Sequence, residues 1–233
     1  MQYHGSDRMN PNRYIVVEGP IGVGKTTLAT AISKQLGARS VFEVVEENPF
    51  LEGFYADRRK YAFQTQLFFL LSRFKQQEHL AQQDLFAQVT VSDYLFDKDR
   101  IFASLTLDGA ERALYDKVYD ALGPRVPRPD MVVYLQARLD VLMERIRARG
   151  RSFEQNFDRM YLSSLCEAYK EFFFRYDKTP LLVVDTSDID LKDSPGDIDD
   201  ILREIEGLRG GTKHYVPRVS WPAEELPETV EDD

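Results

Sequence analysis

The chain has 233 residues, 43% of them hydrophobic, and its 30 Lys and Arg against 39 Asp and Glu leave a net charge of −9. That length and composition suit one globular α/β domain, and the acidic balance excludes a general nucleic-acid binder. One cysteine, Cys166, excludes an internal disulfide and a cysteine-rich metal site; no stretch is long and apolar enough to span a membrane, so a reducing cytoplasm is expected.

Residues 1–12 read as a loose polar lead without a signal-peptide pattern. Five apolar runs, 14–18, 41–46, 89–93, 131–136 and 181–185, read as buried parallel strands. Helical periodicity over about 25–36, 58–83, 96–122, 138–149 and 155–177 separates them, with Gly37 placed to end the first helix. Gly123-Pro124 and Pro127-Arg128-Pro129 stop the segment 96–122. A short helix over 198–209 follows, and 210–233, rich in Gly, Pro and Glu, reads as an irregular or docked acidic tail. Strand–helix alternation predicts a doubly wound, five-stranded parallel sheet flanked by helices, in a single domain over 13–209. Ligands of such sheets bind beyond the carboxyl ends of the strands, so the polar residues there are the candidates for chemistry.

The first of these is Gly19-Pro20-Ile21-Gly22-Val23-Gly24-Lys25-Thr26-Thr27, directly after Tyr14-Ile15-Val16-Val17 and ahead of a helical stretch. This is G-x-x-x-x-G-K-[ST] in its strand–turn–helix context, a phosphate loop. Its backbone N–H groups and the helix N-terminus face phosphate oxygens, Lys25 reaches the β- and γ-phosphates, and Thr26 ligates Mg²⁺. A nucleoside triphosphate is the expected ligand.

Three further clusters follow strand runs. Glu46-Glu47-Asn48-Pro49 puts two carboxylates where one can take a proton from an attacking hydroxyl, or where both cap the next helix. In extended backbone only one of them faces the cleft, and the sequence does not say which. Ser92-Asp93-Tyr94 followed by Asp97-Lys98-Asp99-Arg100 puts Asp93 at a strand end, either as a Mg²⁺ partner or as a helix cap; Asp99 and Arg100 also read as a solvated helix face. Arg145, Arg147, Arg149 and Arg151 read as favourable cations at a helix C-terminus or as a mobile lid over a triphosphate. In the apolar segment 61–73, Gln66 and Arg73 share a face and require polar partners, such as a nucleobase edge.

Together these segments resemble the deoxynucleoside kinases, through GPIGVGKTT, VEENPFLEGFYAD, FQTQLFFLLSR, SDYLFDKDRIFA and RIRARGRSFEQ, over about residues 14–185. The resemblance implies a P-loop kinase with an arginine-rich lid that uses ATP and Mg²⁺ to phosphorylate a deoxynucleoside, most simply a purine deoxynucleoside, and that forms a homodimer. It implies Glu47 as general base, Tyr55 and Glu154 at the sugar 3′-hydroxyl, Gln66, Arg73 and Asp99 around the base, Asp93 near Mg²⁺, and Arg145, Arg149 and Arg151 in the lid. One departure stands out. Where most members carry acidic-Arg-Ser after strand three, this chain has Asp93-Tyr94-Leu95, and Lys98, one helical turn later, is the candidate replacement. Two rival readings are a thymidylate-type monophosphate kinase, whose charged acceptor Glu46-Glu47 would repel, and a non-catalytic nucleotide switch, which needs no Tyr55–Glu154 pair.

Overall fold

Strand β1 (Arg13–Glu18) runs up the middle of a parallel sheet because Ile15, Val16 and Val17 are buried on both of its faces. In the computed structural model, which describes residues 13–83, 89–154, 157–192 and 195–217, the sheet has six strands in the order β2-β3-β1-β4-β5-β6. The other strands are β2 (Arg39–Val41), β3 (Val89–Ser92), β4 (Met131–Gln136), β5 (Leu181–Asp185) and β6 (Thr212–Tyr215). Every neighbouring pair is parallel, and Ile15 lies opposite both Val91 and Met131. The helices are α1 (Lys25–Leu36), α2 (Leu51–Ala56), α3 (Arg58–Gln83), α4 (Lys98–Thr106), α5 (Gly109–Leu122), α6 (Leu139–Arg149), α7 (Arg159–Phe174) and α8 (Pro195–Gly207). Among the described residues, no helix is long and apolar enough to cross a membrane.

The sheet has six strands where the apolar runs predict five. The sixth, β6, falls in the segment read as irregular tail, and its residues Thr212, Lys213 and His214 are exposed. Its ladder to β5 holds it there, with no apolar run to announce it. Strand β2 is shorter than predicted and begins earlier, at Arg39, so that it shares only Val41 with the expected span 41–46. It ends at Val41, and Phe42–Val44 leave the sheet because Asp93 takes over the pairing: its N–H donates to Val41 O and its Oδ1 accepts the N–H of Glu43 at 2.8 Å. The helix expected over 96–122 breaks at Leu107-Asp108, and Gly109 turns with φ of +49°. Helix α7 starts at Arg159, where the Asp158 carboxylate caps the N–H groups of Met160 and Tyr161.

Glu18, wholly buried at the carboxyl end of β1, ties this edge of the sheet together. Its Oε1 accepts Gly19 N–H (2.8 Å) and the Tyr169 hydroxyl (3.1 Å), and its Oε2 accepts Leu95 N–H (2.6 Å). The phosphate loop, the turn after β3 and α7 therefore share one carboxylate. Glu18→Gln turns one acceptor into a donor facing a donor, so it should cost about 1–3 kcal/mol of unfolding free energy. Urea denaturation reads this, and an unchanged midpoint would contradict the tie.

Candidate active site

A cavity of about 640 Å³ opens beyond the carboxyl ends of the strands, a size that suits a small-molecule site. Its floor is the phosphate loop. Gly22 has φ of +85°, and a Cβ there would meet Leu142 O at 2.9 Å; Gly24, at φ of +104°, turns the chain into α1. Residues Ile21 through Thr27 line the cavity, while Gly19 and Pro20 turn their carbonyls to Lys25 Nζ, at 2.8 and 3.1 Å. Burial pushes the Lys25 ammonium down to about 8, against the pull of Glu18 in the other direction.

Thr26 Oγ1 donates to Asp93 Oδ2 at 2.5 Å, so the two residues expected at a metal meet at the mouth of the phosphate loop. Both present hard oxygens. Among the described residues there is no cluster of three or more acidic, His or Cys side chains able to hold an ion. A Mg²⁺ held by one or two protein oxygens, with phosphates and water completing its shell, fits this donor set.

Beside the Thr26–Asp93 contact the cavity is built on charge. Glu43, just past β2, accepts from Arg73 Nε at 2.6 Å and from Lys98 Nζ at 2.7 Å. Burial alone would raise its carboxyl, but the Arg73 and Lys98 cations outweigh it and hold the group well below the usual carboxylate range. Arg73 also pairs with Asp99, which is wholly buried behind it and does not itself line the cavity; Asp99 Oδ2 has no hydrogen-bond partner among the described residues. Gln66, buried on the same face of α3 as Arg73, lines the cavity beside them.

Glu47 does not join this group. It sits exposed in a one-turn 3-10 helix, Val45–Glu47, and does not line the cavity; its neighbour Glu46 pairs with Arg151 at 2.8 Å. The reason is the early end of β2, which brings the inward-facing carboxylate four residues forward to Glu43. The sequence carried one signal for it, an ionisable residue inside the apolar run Val41-Phe42-Glu43-Val44-Val45.

Tyr55 of α2 and Glu154, in the 3-10 turn Ser152–Glu154, both line the cavity. Burial first, then Tyr161 and Glu154, push the Tyr55 phenol well above its ordinary value, so it remains a donor. The arginines of α6 and its turn have separate partners. Arg145 donates to Val23 O (3.4 Å), Thr186 Oγ1 (3.0 Å), Thr186 O (2.7 Å) and Ile189 O (2.7 Å), bracing the turn after β5 against the phosphate loop. Arg149 grips Glu154, and Arg151 reaches Glu46. The turn after β5 adds Asp190, Leu191 and Lys192 to the lining, which no motif marked.

Residues 15–208 match the deoxynucleoside kinase family. The chain is 39% identical to the deoxyguanosine kinase of Bacillus subtilis (strain 168), over 79% of this chain and 90% of that enzyme. It is 30% identical to the deoxyadenosine/deoxycytidine kinase of the same organism, over 84% of this chain and 93% of that one. The structure of deoxyadenosine kinase from M. mycoides with the products dCMP and a flexible dCDP superposes with a TM-score of 0.73 at 30% identity, covering 83% of this chain and 98% of that one.

A lysine with its pKa lowered from 10.5 to about 8 loses its charge in the native protein as pH rises through 8, far earlier than an exposed lysine. Affinity for inorganic tripolyphosphate should therefore fall across that window. Calorimetric titration at about pH 7, 8 and 9.5 checks this against the ordinary lysine, which would keep its charge throughout.

Proposed function

The chain belongs to the deoxynucleoside kinase family and is a phosphotransferase that converts a deoxynucleoside to its 5′-monophosphate; from that premise we propose the division of labour within its cavity. ATP is the donor. Its triphosphate lies in the loop from Gly19 to Thr27, with Lys25 released from its two carbonyls to the β- and γ-phosphates. Thr26 and Asp93 would hold Mg²⁺, which would neutralise phosphate charge. The deoxynucleoside enters beside the triphosphate, and Glu43 rather than Glu47 is the base. Its ionised carboxylate accepts the 5′-hydroxyl proton as that oxygen bonds the γ-phosphorus and the bond to the β-phosphate oxygen breaks. Arg73 fixes that carboxylate from one side. Lys98 fixes it from the other, in the role of the missing strand-three arginine.

Gln66 offers a donor and an acceptor to the base edge, with the Arg73–Asp99 pair behind it. A purine deoxynucleoside is favoured, in keeping with the named relatives, and deoxycytidine also suits these groups. Tyr55 and Glu154 take the sugar 3′-hydroxyl. Arg151 closes over the triphosphate, while Arg145 acts by bracing the donor side. The kinase domain runs from residue 13 through β6, past the boundary at 209. A homodimer in the cytoplasm is the assembly and location that the family resemblance supports.

The observation that carries this reading is the Glu43 carboxylate held between Arg73 and Lys98 beside the phosphate loop, since Asp93 accepts from both Glu43 N–H and Thr26 Oγ1. A negative group at the acceptor end disfavours the monophosphate acceptor of a thymidylate-type kinase. An ADP-release assay over the four deoxynucleosides and their monophosphates tests it. Turnover with deoxynucleosides alone is expected, and turnover with monophosphates alone would overturn it.

Glu43→Gln should lower kcat by about 10²–10⁴-fold, the usual loss for a general base. Glu47→Gln, on an exposed turn, should change kcat/KM by no more than about twofold. Steady-state kinetics of the two variants decide between the carboxylates. Arg145→Lys should raise the KM for ATP by about 5–10-fold, the effect of one or two lost hydrogen bonds in the brace, with kcat nearly unchanged. A loss confined to kcat would make Arg145 a lid arginine after all.

A further inference from the structure

Arg149 is the last residue of α6, and Gly150, with φ of +68°, ends the helix there. The chain then folds back on itself, with Glu154 N–H donating to Arg151 O at 2.9 Å, and Glu154 returns beneath Arg149. The contact between them is a fork. Arg149 Nε donates to Glu154 Oε2 at 3.1 Å and Nη2 to Oε1 at 2.6 Å. Two parallel bonds to both oxygens fix the plane of the carboxylate, which a single point contact does not. The burial is lopsided: the Glu154 side chain is 3% exposed and that of Arg149 is 35%. A carboxylate so buried, deprived of its cation, loses the partner that holds it and turns toward water. Arg151 does not duplicate the grip, since its Nη1 lies 3.9 Å from Oε1 and its Nη2 is engaged with Glu46. From the other side Phe153 stacks on Tyr55, with ring centroids 5.6 Å apart and planes 19° apart, so the phenol is fixed by the residue next to Glu154.

We propose that Arg149 is a positioning residue for sugar selection: it sets the Glu154 carboxylate in the orientation that meets the 3′-hydroxyl, and so governs discrimination against sugars that lack it. This rests on the reading that Glu154 and Tyr55 take that hydroxyl. A carboxylate gripped in this way keeps free lone pairs for a third donor. A reading in which Arg149 serves only the triphosphate predicts equal losses for every nucleoside.

The test is the ratio of kcat/KM for a 2′-deoxynucleoside to that for its 2′,3′-dideoxy counterpart, with ATP saturating. Any loss of triphosphate contact affects both substrates alike and cancels in this ratio. Arg149→Ala should lower the ratio by about 10- to 100-fold, the effect of one misdirected charge-assisted hydrogen bond. Arg149→Lys, which restores charge without the fork, should fall in between. Arg151→Ala should leave the ratio within about twofold. Glu154→Gln separates the two layers. A ratio lowered in Glu154→Gln but intact in Arg149→Ala overturns the proposal and spares the sugar reading. A ratio intact in Glu154→Gln removes both.

Discussion

Two cations converge on one largely buried carboxylate, and that part of the cavity is arranged around the convergence. Burying Glu43 is unfavourable unless it is paired, and each of its oxygens has its own partner, Arg73 on one and Lys98 on the other. The arrangement brings together three elements that are distant in sequence: the turn after β2, the middle of α3 and the start of α4. Arg73 extends it to Asp99, so four ionised side chains form one network. Removing a member strands the others as uncompensated buried charge, a larger penalty than the pair's net contribution to stability. Within an acidic chain, seven of the 30 Lys and Arg line this one cavity.

How far the sequence foretold this follows the physics of each element. Strands β4 and β5 match their predicted spans of 131–136 and 181–185 because both of their faces are buried, which writes an unbroken apolar run. The phosphate loop was legible because its glycines, lysine and threonine act locally, within one turn. Strand β2 was misread because Phe42, Val44 and Val45 continue its apolar run after the backbone has left the sheet. Strand β6 was missed because a polar edge strand obtains its order from the ladder alone.

The site residues divide in the same way. Gln66 and Arg73 were legible as polar residues on an apolar helix face. Glu43 was not, because the register that turns it inward depends on Asp93, fifty positions on. Periodicity put Arg145 and Arg149 on one face of α6 and suggested a common task. Their partners separate them, since Arg145 spends its guanidinium on carbonyls at Val23, Thr186 and Ile189, while Arg149 turns to Glu154. Helical spacing reports which residues are neighbours and is silent about what lies opposite them.

The Glu18 tie has a consequence for motion. Because Gly19, Leu95 and Tyr169 all hang from a carboxylate at the tip of the central strand, the floor of the cavity cannot breathe without opening the sheet. Fluctuations at low free energy are therefore left to exposed parts of the rim such as the turn at 45–47. The Glu18 carboxylate thus makes the cavity floor and the central strand one mechanical unit.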